Sequence, residues 1–298
     1  MNVNTESKCY LCTVCDGNGC ISELPGMGGV FENYNFIKNC TDWSVLGLEK
    51  KAENQNISLP PVRLAPMTGA IQNVGYHDER QFYFDLIDSC IRAGINLSIG
   101  DGYPDEKLKF GIEALTKAGR KAAVFIKPYE NNRIYERMEW AKDVSEIIGV
   151  DIDSYAILTM RNLVNLEEKT AKNLLEIKKK TQVPFAIKGV FRAQDIELIR
   201  EVHPDIVVVS NHGGRIETDR GSTALFLQKW GKTLSGLCGE LWVDGGIRTR
   251  GDLEVAQSLG AVEVMIGRPL AIALLKDTEK GIEHRVAELL AVSKPKKN

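Results

Sequence analysis

The chain has 298 residues, 43% of them hydrophobic and 26% charged, and its 38 Lys+Arg against 40 Asp+Glu leave a formal net charge of −2. So close a balance gives no overall electrostatic ground for nucleic acid or an acidic membrane as partner, and 27 Gly with 10 Pro exclude a fibrous or low-complexity chain. No run approaches the roughly 18 to 20 uncharged apolar residues of a membrane-spanning helix, and the length allows either two medium domains or one large barrel.

The first 60 residues read differently from the rest. Residues 1–10 are polar and lack the apolar core of a signal peptide, so the expected location is cytoplasmic, where thiols stay reduced. Four of the seven cysteines crowd the run Cys9-x-x-Cys12-x-x-Cys15-x-x-x-x-Cys20. It comes close to a bacterial iron–sulfur run, but four residues precede the last Cys and Ile21 follows it in place of Pro. Zinc suits thiolate ligands equally well; free thiols and a redox pair are the other readings, and the spacing does not decide among them. Gly and Asn are frequent and no long helical period starts before Asp42, so 1–60 reads as a cap segment leaning on the rest of the chain.

From Pro61 onward, short β-branched or apolar runs recur at 62–65, 96–99, 122–126, 155–159, 185–188, 206–210, 241–244 and 262–266. Amphipathic stretches of helical length lie between them, at 79–92, 106–117, 133–147, 166–180, 193–202 and 251–259. Alternation of this kind requires parallel strands with right-handed crossovers, and eight such units predict an α/β fold, a (β/α)8 TIM barrel over 61–292. An open doubly wound sheet is the runner-up, but no Gly-x-Gly-x-x-Gly follows the first strand. Residues 293–298, with three lysines in or beside them, read as a frayed tail.

A barrel of this kind keeps its site at the C-terminal strand ends. Thr159 is predicted to end strand four and Lys188 strand five; Ser210-Asn211-His212-Gly213-Gly214-Arg215 follows strand six, Asp244-Gly245-Gly246-Ile247-Arg248 strand seven and Gly267-Arg268-Pro269 strand eight. Gly245, Gly246 and Gly267 let backbone N–H groups approach an anion, while Arg248 and Arg268 supply positive forks near helix N-termini. That combination predicts a phosphate site after strands seven and eight. His212 is suited to proton transfer near neutral pH, and Arg215 can grip a carboxylate with two hydrogen bonds. His203, in a turn at the opposite end of the barrel, is predicted to be structural.

Lys188-Gly189, Ser210 to Arg215, Asp244 to Arg248 and Ile266-Gly267-Arg268-Pro269 resemble, in order and spacing, the signatures of the FMN-dependent α-hydroxy acid dehydrogenases and oxidases. The likeness continues more weakly in Leu64-Ala65-Pro66-Met67, Leu97-Ser98 and Gly28-Gly29 with Asn39. It implies FMN as cofactor, with Lys188 beside the N1/O2 edge of the flavin and Ser210, Thr159, Ser98 and the main chain at Met67 and Thr68 bonded to the ring. Asp244 would hold the ribityl chain, and Gly245, Gly246, Arg248, Gly267 and Arg268 the phosphate. His212 would be the base, Arg215 the anchor of the substrate carboxylate, and the reaction the oxidation of a 2-hydroxy acid to a 2-oxo acid. Homo-oligomers, tetramers among them, are usual in such a family.

Three departures from that pattern modify the expectation. The family's Gln-x-Tyr on strand three falls on Phe125-Ile126-Lys127, and its Thr-x-Asp after strand four on Thr159-Met160-Arg161. Read so, His212 lacks its supporting carboxylate, and Lys127 and Arg161 make the substrate pocket unusually cationic. With 162–165 alone between strand four and its helix, the segment that covers the site in relatives is expected to be missing. The alternatives to oxidation are a flavin-dependent isomerase of a phosphorylated substrate and a barrel that binds FMN or phosphate without catalysis.

Overall fold

The computed structural model describes residues 33–50, 58–157, 163–216 and 219–291. The four clustered cysteines, Thr159 and Arg161 lie outside the described residues. After an N-terminal helix, α1 (Tyr34–Lys50), strands and helices alternate: β1 (Val62–Leu64), α2 (Glu79–Arg92), β2 (Ser98–Gly100), α3 (Glu106–Ala118), β3 (Ala122–Ile126), α4 (Asn131–Ala141) and β4 (Ser145–Asp151). The second half continues with α5 (Ala171–Lys178), β5 (Phe185–Val190), α6 (Ala193–Val202), β6 (Ile206–Val209), α7 (Thr223–Ser235), β7 (Glu240–Val243), α8 (Arg250–Ser258), β8 (Glu263–Ile266), α9 (Arg268–Lys276) and α10 (Gly281–Leu290).

All the strand pairings are parallel, in the order β1-β8-β7-β6-β5-β4-β3-β2. The sheet closes between its two ends: Leu64 N donates to Asn96 O at 2.8 Å and Asn96 N to Val62 O at 3.0 Å. Each strand is covered by helices outside and side chains inside, which is why segments such as Ala122–Ile126 are apolar without alternation. The barrel interior is packed by Ala123, Phe125, Ile147, Ala186, Ile206, Val208, Trp242 and Met265. At its N-terminal end Arg63 pairs with Glu263 at 2.7 Å and Glu146 at 2.8 Å and lies over the Trp242 ring, closing the floor. The runner-up open sheet is thereby excluded, and among the described residues no helix is long and apolar enough to cross a membrane.

Two predicted boundaries are corrected. Strand four is Ser145–Asp151, not 155–159, and Ser154–Ala156 is a single 3-10 turn. The predicted helix 133–147 fuses α4 with the first half of this strand, because Trp140, Val144, Ile147 and Ile148 continue a helical spacing across the junction. The second correction concerns α1, which begins at Tyr34 and not near Asp42. Its buried stripe is Asn35, Asn39, Asp42, Trp43 and Leu46, a helical spacing whose first members are polar. Asn39 donates to Asn211 at 2.7 Å and accepts from Thr223 N at 3.0 Å, and Trp43 Nε1 donates to Gly245 O at 2.8 Å, so this helix grips the loops after β6 and β7.

Candidate active site

The mouth of the barrel holds a buried ionic cluster that follows from strand register. Asp151 pairs directly with Lys188 across β4 and β5, and Lys127 follows Ile126, which pairs with Val150. Lys188 Nζ lies 3.1 Å from Asp151 Oδ1 and 3.5 Å from Asp244 Oδ2. Lys127 Nζ donates to Asp151 Oδ2 and to Ser154 Oγ, both at 3.0 Å. Burial by itself would raise the Asp151 carboxyl, but Lys127, Lys188 and His212 outweigh it and hold the group well below the usual carboxylate range. Burial likewise works against the Lys188 ammonium, and Asp151, Asp244 and Asp153 reverse it, holding this lysine above its ordinary value. Both groups are therefore ionised at neutral pH.

His212 opens the turn after β6 with φ 53, a left-handed conformation uncommon for a residue with a side chain. Its own N–H donates to Ser210 Oγ at 3.1 Å, and Asn211 Oδ1 accepts from Gly214 N at 2.9 Å, which pins the turn. The ring is thereby brought to Asp153: Nδ1 is 2.7 Å from Asp153 Oδ2. Nε2 lies 3.4 Å from Asp151 Oδ2 and 3.5 Å from Ser154 Oγ, and the residue lines the cleft. Asp153 fits there because Gly189, at φ 95 in a bulge of β5, leaves free the volume that a Cβ would take from its carboxylate. Asp151, Asp153 and His212 also have the donor types of a metal site, with ligand atoms within 4.8 Å of one another. The positive charge among them is supplied by Lys127 and Lys188.

These contacts overturn the expectation of an unsupported base. The Thr-x-Asp pattern falls on Asp151-Ile152-Asp153 at the end of strand four, so His212 has a carboxylate partner. The extra charge of Lys127 is offset by Asp151, so the pocket is less cationic than predicted. The segment between β4 and α5 runs over residues 152–170, so the expected short connection is also corrected.

The other half of the mouth is the glycine-rich arm after β7 and β8. Gly246, at φ 81, runs so close to Asn39 O that any side chain would overlap it. Arg248, anchored by its N–H to Asp252 Oδ2 at 2.8 Å, and Arg268 line the cleft, with Arg268 also donating to Gly213 O and lying 4.4 Å from the Phe36 ring centre. Met67, Thr68, Lys127, Lys188, His212, Arg215, Asp244, Gly245 and Gly267 share this cleft, whose open volume counted out to solvent is about 1200 Å³. Ser210 is buried beneath His212, and Ser98 faces the barrel interior beside Ala123 without reaching the cleft wall. Lys107, on α3, lines the cleft and was not predicted; no motif in its surroundings marks it.

The geometry defines a barrel mouth in which an imidazole–carboxylate pair shares one cleft with a glycine- and arginine-lined arm. A family model described as FMN-dependent dehydrogenase matches residues 117–292, and the chain belongs to that family, with FMN as its cofactor. The chain is 28% identical over 243 residues to L-lactate dehydrogenase (cytochrome) of Saccharomyces cerevisiae, covering 76% of this chain and 36% of that protein. It is 34% identical over 122 residues to 4-hydroxymandelate oxidase of Amycolatopsis orientalis, covering 41% and 34%. The match thus spans about a third of the length of these relatives. A solved structure of mandelate oxidase with benzoyl-formic acid has the same fold, at a TM-score of 0.69 and 21% identity over 91% of this chain and 88% of that one.

The residues present fit FMN. Asp244 Oδ1 is buried in the cleft without a hydrogen-bond partner, an acceptor left for a hydroxyl group. Gly246, Arg248, Gly267 and Arg268 give close backbone approach and positive charge on the other side, as a phosphate requires.

Proposed function

We propose that the chain oxidises a 2-hydroxy acid to a 2-oxo acid. The observation that carries this reading is the 2.7 Å contact between His212 Nδ1 and Asp153 Oδ2 in a cleft that Arg215 also lines. A carboxylate on Nδ1 keeps the proton there, leaves Nε2 as the acceptor, and stabilises the imidazolium once the substrate hydroxyl has given up its proton. Arg215 binds the substrate carboxylate, orienting the hydroxyl toward Nε2. Lys188 keeps a full positive charge at the floor of the cleft. Bound FMN supplies the acceptor for the substrate's α-hydrogen and two electrons. Asp244 would hold its ribityl chain, Gly246, Arg248, Gly267 and Arg268 its phosphate, and the Met67–Thr68 main chain would be available to its ring. A base held by its own carboxylate suits proton abstraction from a hydroxyl and speaks against the isomerase alternative.

In the same reading the chain is cytoplasmic and self-associates; Tyr34, Ile37 and Val45, 44 to 50% exposed on α1, offer an apolar face for a second copy. Anaerobic mixing of the FMN-loaded protein with a panel of 2-hydroxy acids tests the activity. Loss of the flavin absorbance with formation of the matching 2-oxo acid is the expected result, and no loss across the panel would overturn the reading.

A further inference from the structure

Asp151 is a buried carboxylate to which the reaction above gives no role. At 2% side-chain exposure it joins Lys127 (3.0 Å), Lys188 (3.1 Å) and, more loosely, His212 Nε2 (3.4 Å). The family pattern places a neutral Thr where Asp151 stands and a neutral Tyr where Lys127 stands, so this chain has exchanged a neutral pair for an ion pair. The exchange leaves the net charge unchanged, but it sets the negative member against Lys188, which Asp244 already flanks from another side at 3.5 Å.

We propose that Asp151 is a positioning residue that tempers the charge of Lys188 and so holds the flavin at a lower reduction potential than an unopposed ammonium would. The inference rests on the reading that FMN sits beside Lys188. Reduction adds negative charge to the flavin, so a nearby cation favours the reduced state, and a carboxylate bonded to that cation opposes the effect. The opposition is strong because the cluster is shielded from water and salt. Lys127 makes it permanent: bonded to Asp151 and to Ser154 Oγ, it holds the carboxylate in place. A flavin so placed takes electrons less readily and passes them on more readily.

The test is the midpoint potential of bound FMN, measured by anaerobic titration against reference dyes in the holoprotein, Asp151→Asn, and the double variant Asp151→Thr with Lys127→Tyr. The double variant removes one charge of each sign and so avoids stranding a buried ammonium. Asp151→Asn is expected to favour reduction at least tenfold over the wild type, about 30 mV for a two-electron couple, and the double variant to shift in the same direction by less, because it also removes the Lys127 cation. An unchanged or lower potential in the double variant with FMN bound overturns the inference, as does loss of FMN from both variants with the fold intact by circular dichroism. Failure of the cofactor reading shows up separately, as a wild-type protein that takes up no FMN. Failure of the proposed reaction shows up as FMN whose potential shifts but which no 2-hydroxy acid reduces.

Discussion

His212 Nδ1 and Asp153 Oδ2 lie 2.7 Å apart, although 58 residues separate them and they belong to the ends of different strands. The contact needs the left-handed turn at His212, the bulge at Gly189 and the short 3-10 turn after Asp153, and each can be tested by a single change.

Replacing Asp153 with Asn keeps the size of the side chain but removes the charge that stabilises the imidazolium. Anaerobic single-turnover reduction of the flavin should slow by about 100- to 10,000-fold, the usual worth of a positioned base, while FMN content stays at the wild-type level. A rate within a few-fold of the wild type would mean that the Asp153 charge does not support the base.

Gly189→Ala places a methyl group against the Asp153 carboxylate and strains a backbone at φ 95. The two effects together should cost about 2–4 kcal/mol of stability and slow the reaction by moving Asp153 from the imidazole. Urea unfolding followed with stopped-flow reduction would register both.

Arg215→Met removes the positive fork from the cleft without deleting bulk. The charge-assisted hydrogen bonds lost are worth about 1.5–3 kcal/mol, so KM for a 2-hydroxy acid should rise about 10- to 100-fold, with the FMN absorbance spectrum unaltered. A KM that stays constant would place the carboxylate anchor elsewhere.

Asp101, buried at the end of β2, accepts from Arg137 Nε at 2.9 Å and from Lys127 N at 3.3 Å. Burial pushes its carboxyl up to about 6, against the pull of Arg137 and Lys127. Because the folded value lies above the unfolded value of roughly 3.9, protonation favours the folded state, and this group adds stability as pH falls from about 7 to 4. Asp151 acts in the opposite sense: its depressed value contributes stability above roughly pH 4 that disappears as pH drops through its folded value. Denaturant midpoints of wild type and Asp101→Asn between pH 4 and 7 should therefore separate at the high end, where the ionised wild type is the less stable, and converge at the low end, where the protonated carboxyl resembles the amide. Parallel curves would contradict the assignment.

Much of the barrel was legible in residue order alone. The apolar runs at 122–126 and 206–209, the glycine turns at Gly245-Gly246 and Gly267, and the string from Ser210 to Arg215 are local signals, because strand punctuation and anion-binding turns are written in consecutive residues. Strand four was not legible, since a strand buried on both faces has no alternation, and Val144 just before it with its own Ile147 and Ile148 prolongs the period of α4. That single displacement hid Asp151 and Asp153 and made His212 look unsupported. The polar stripe of α1 was concealed for a related reason: Asn35, Asn39 and Asp42 are buried by the loops they bond and not by an apolar core.

Sequence by itself determined the alternation of strands and helices, hence a parallel barrel, and the turn chemistry that puts His212, Asp244 and Gly267 at one mouth. Only the tertiary structure decided the charge partners: that Asp153 holds His212, and that Asp151 ties Lys127 to Lys188. Period and turn signals depend on near neighbours in the chain, whereas the partner of a buried charge depends on which strand end lies beside it once the barrel has closed.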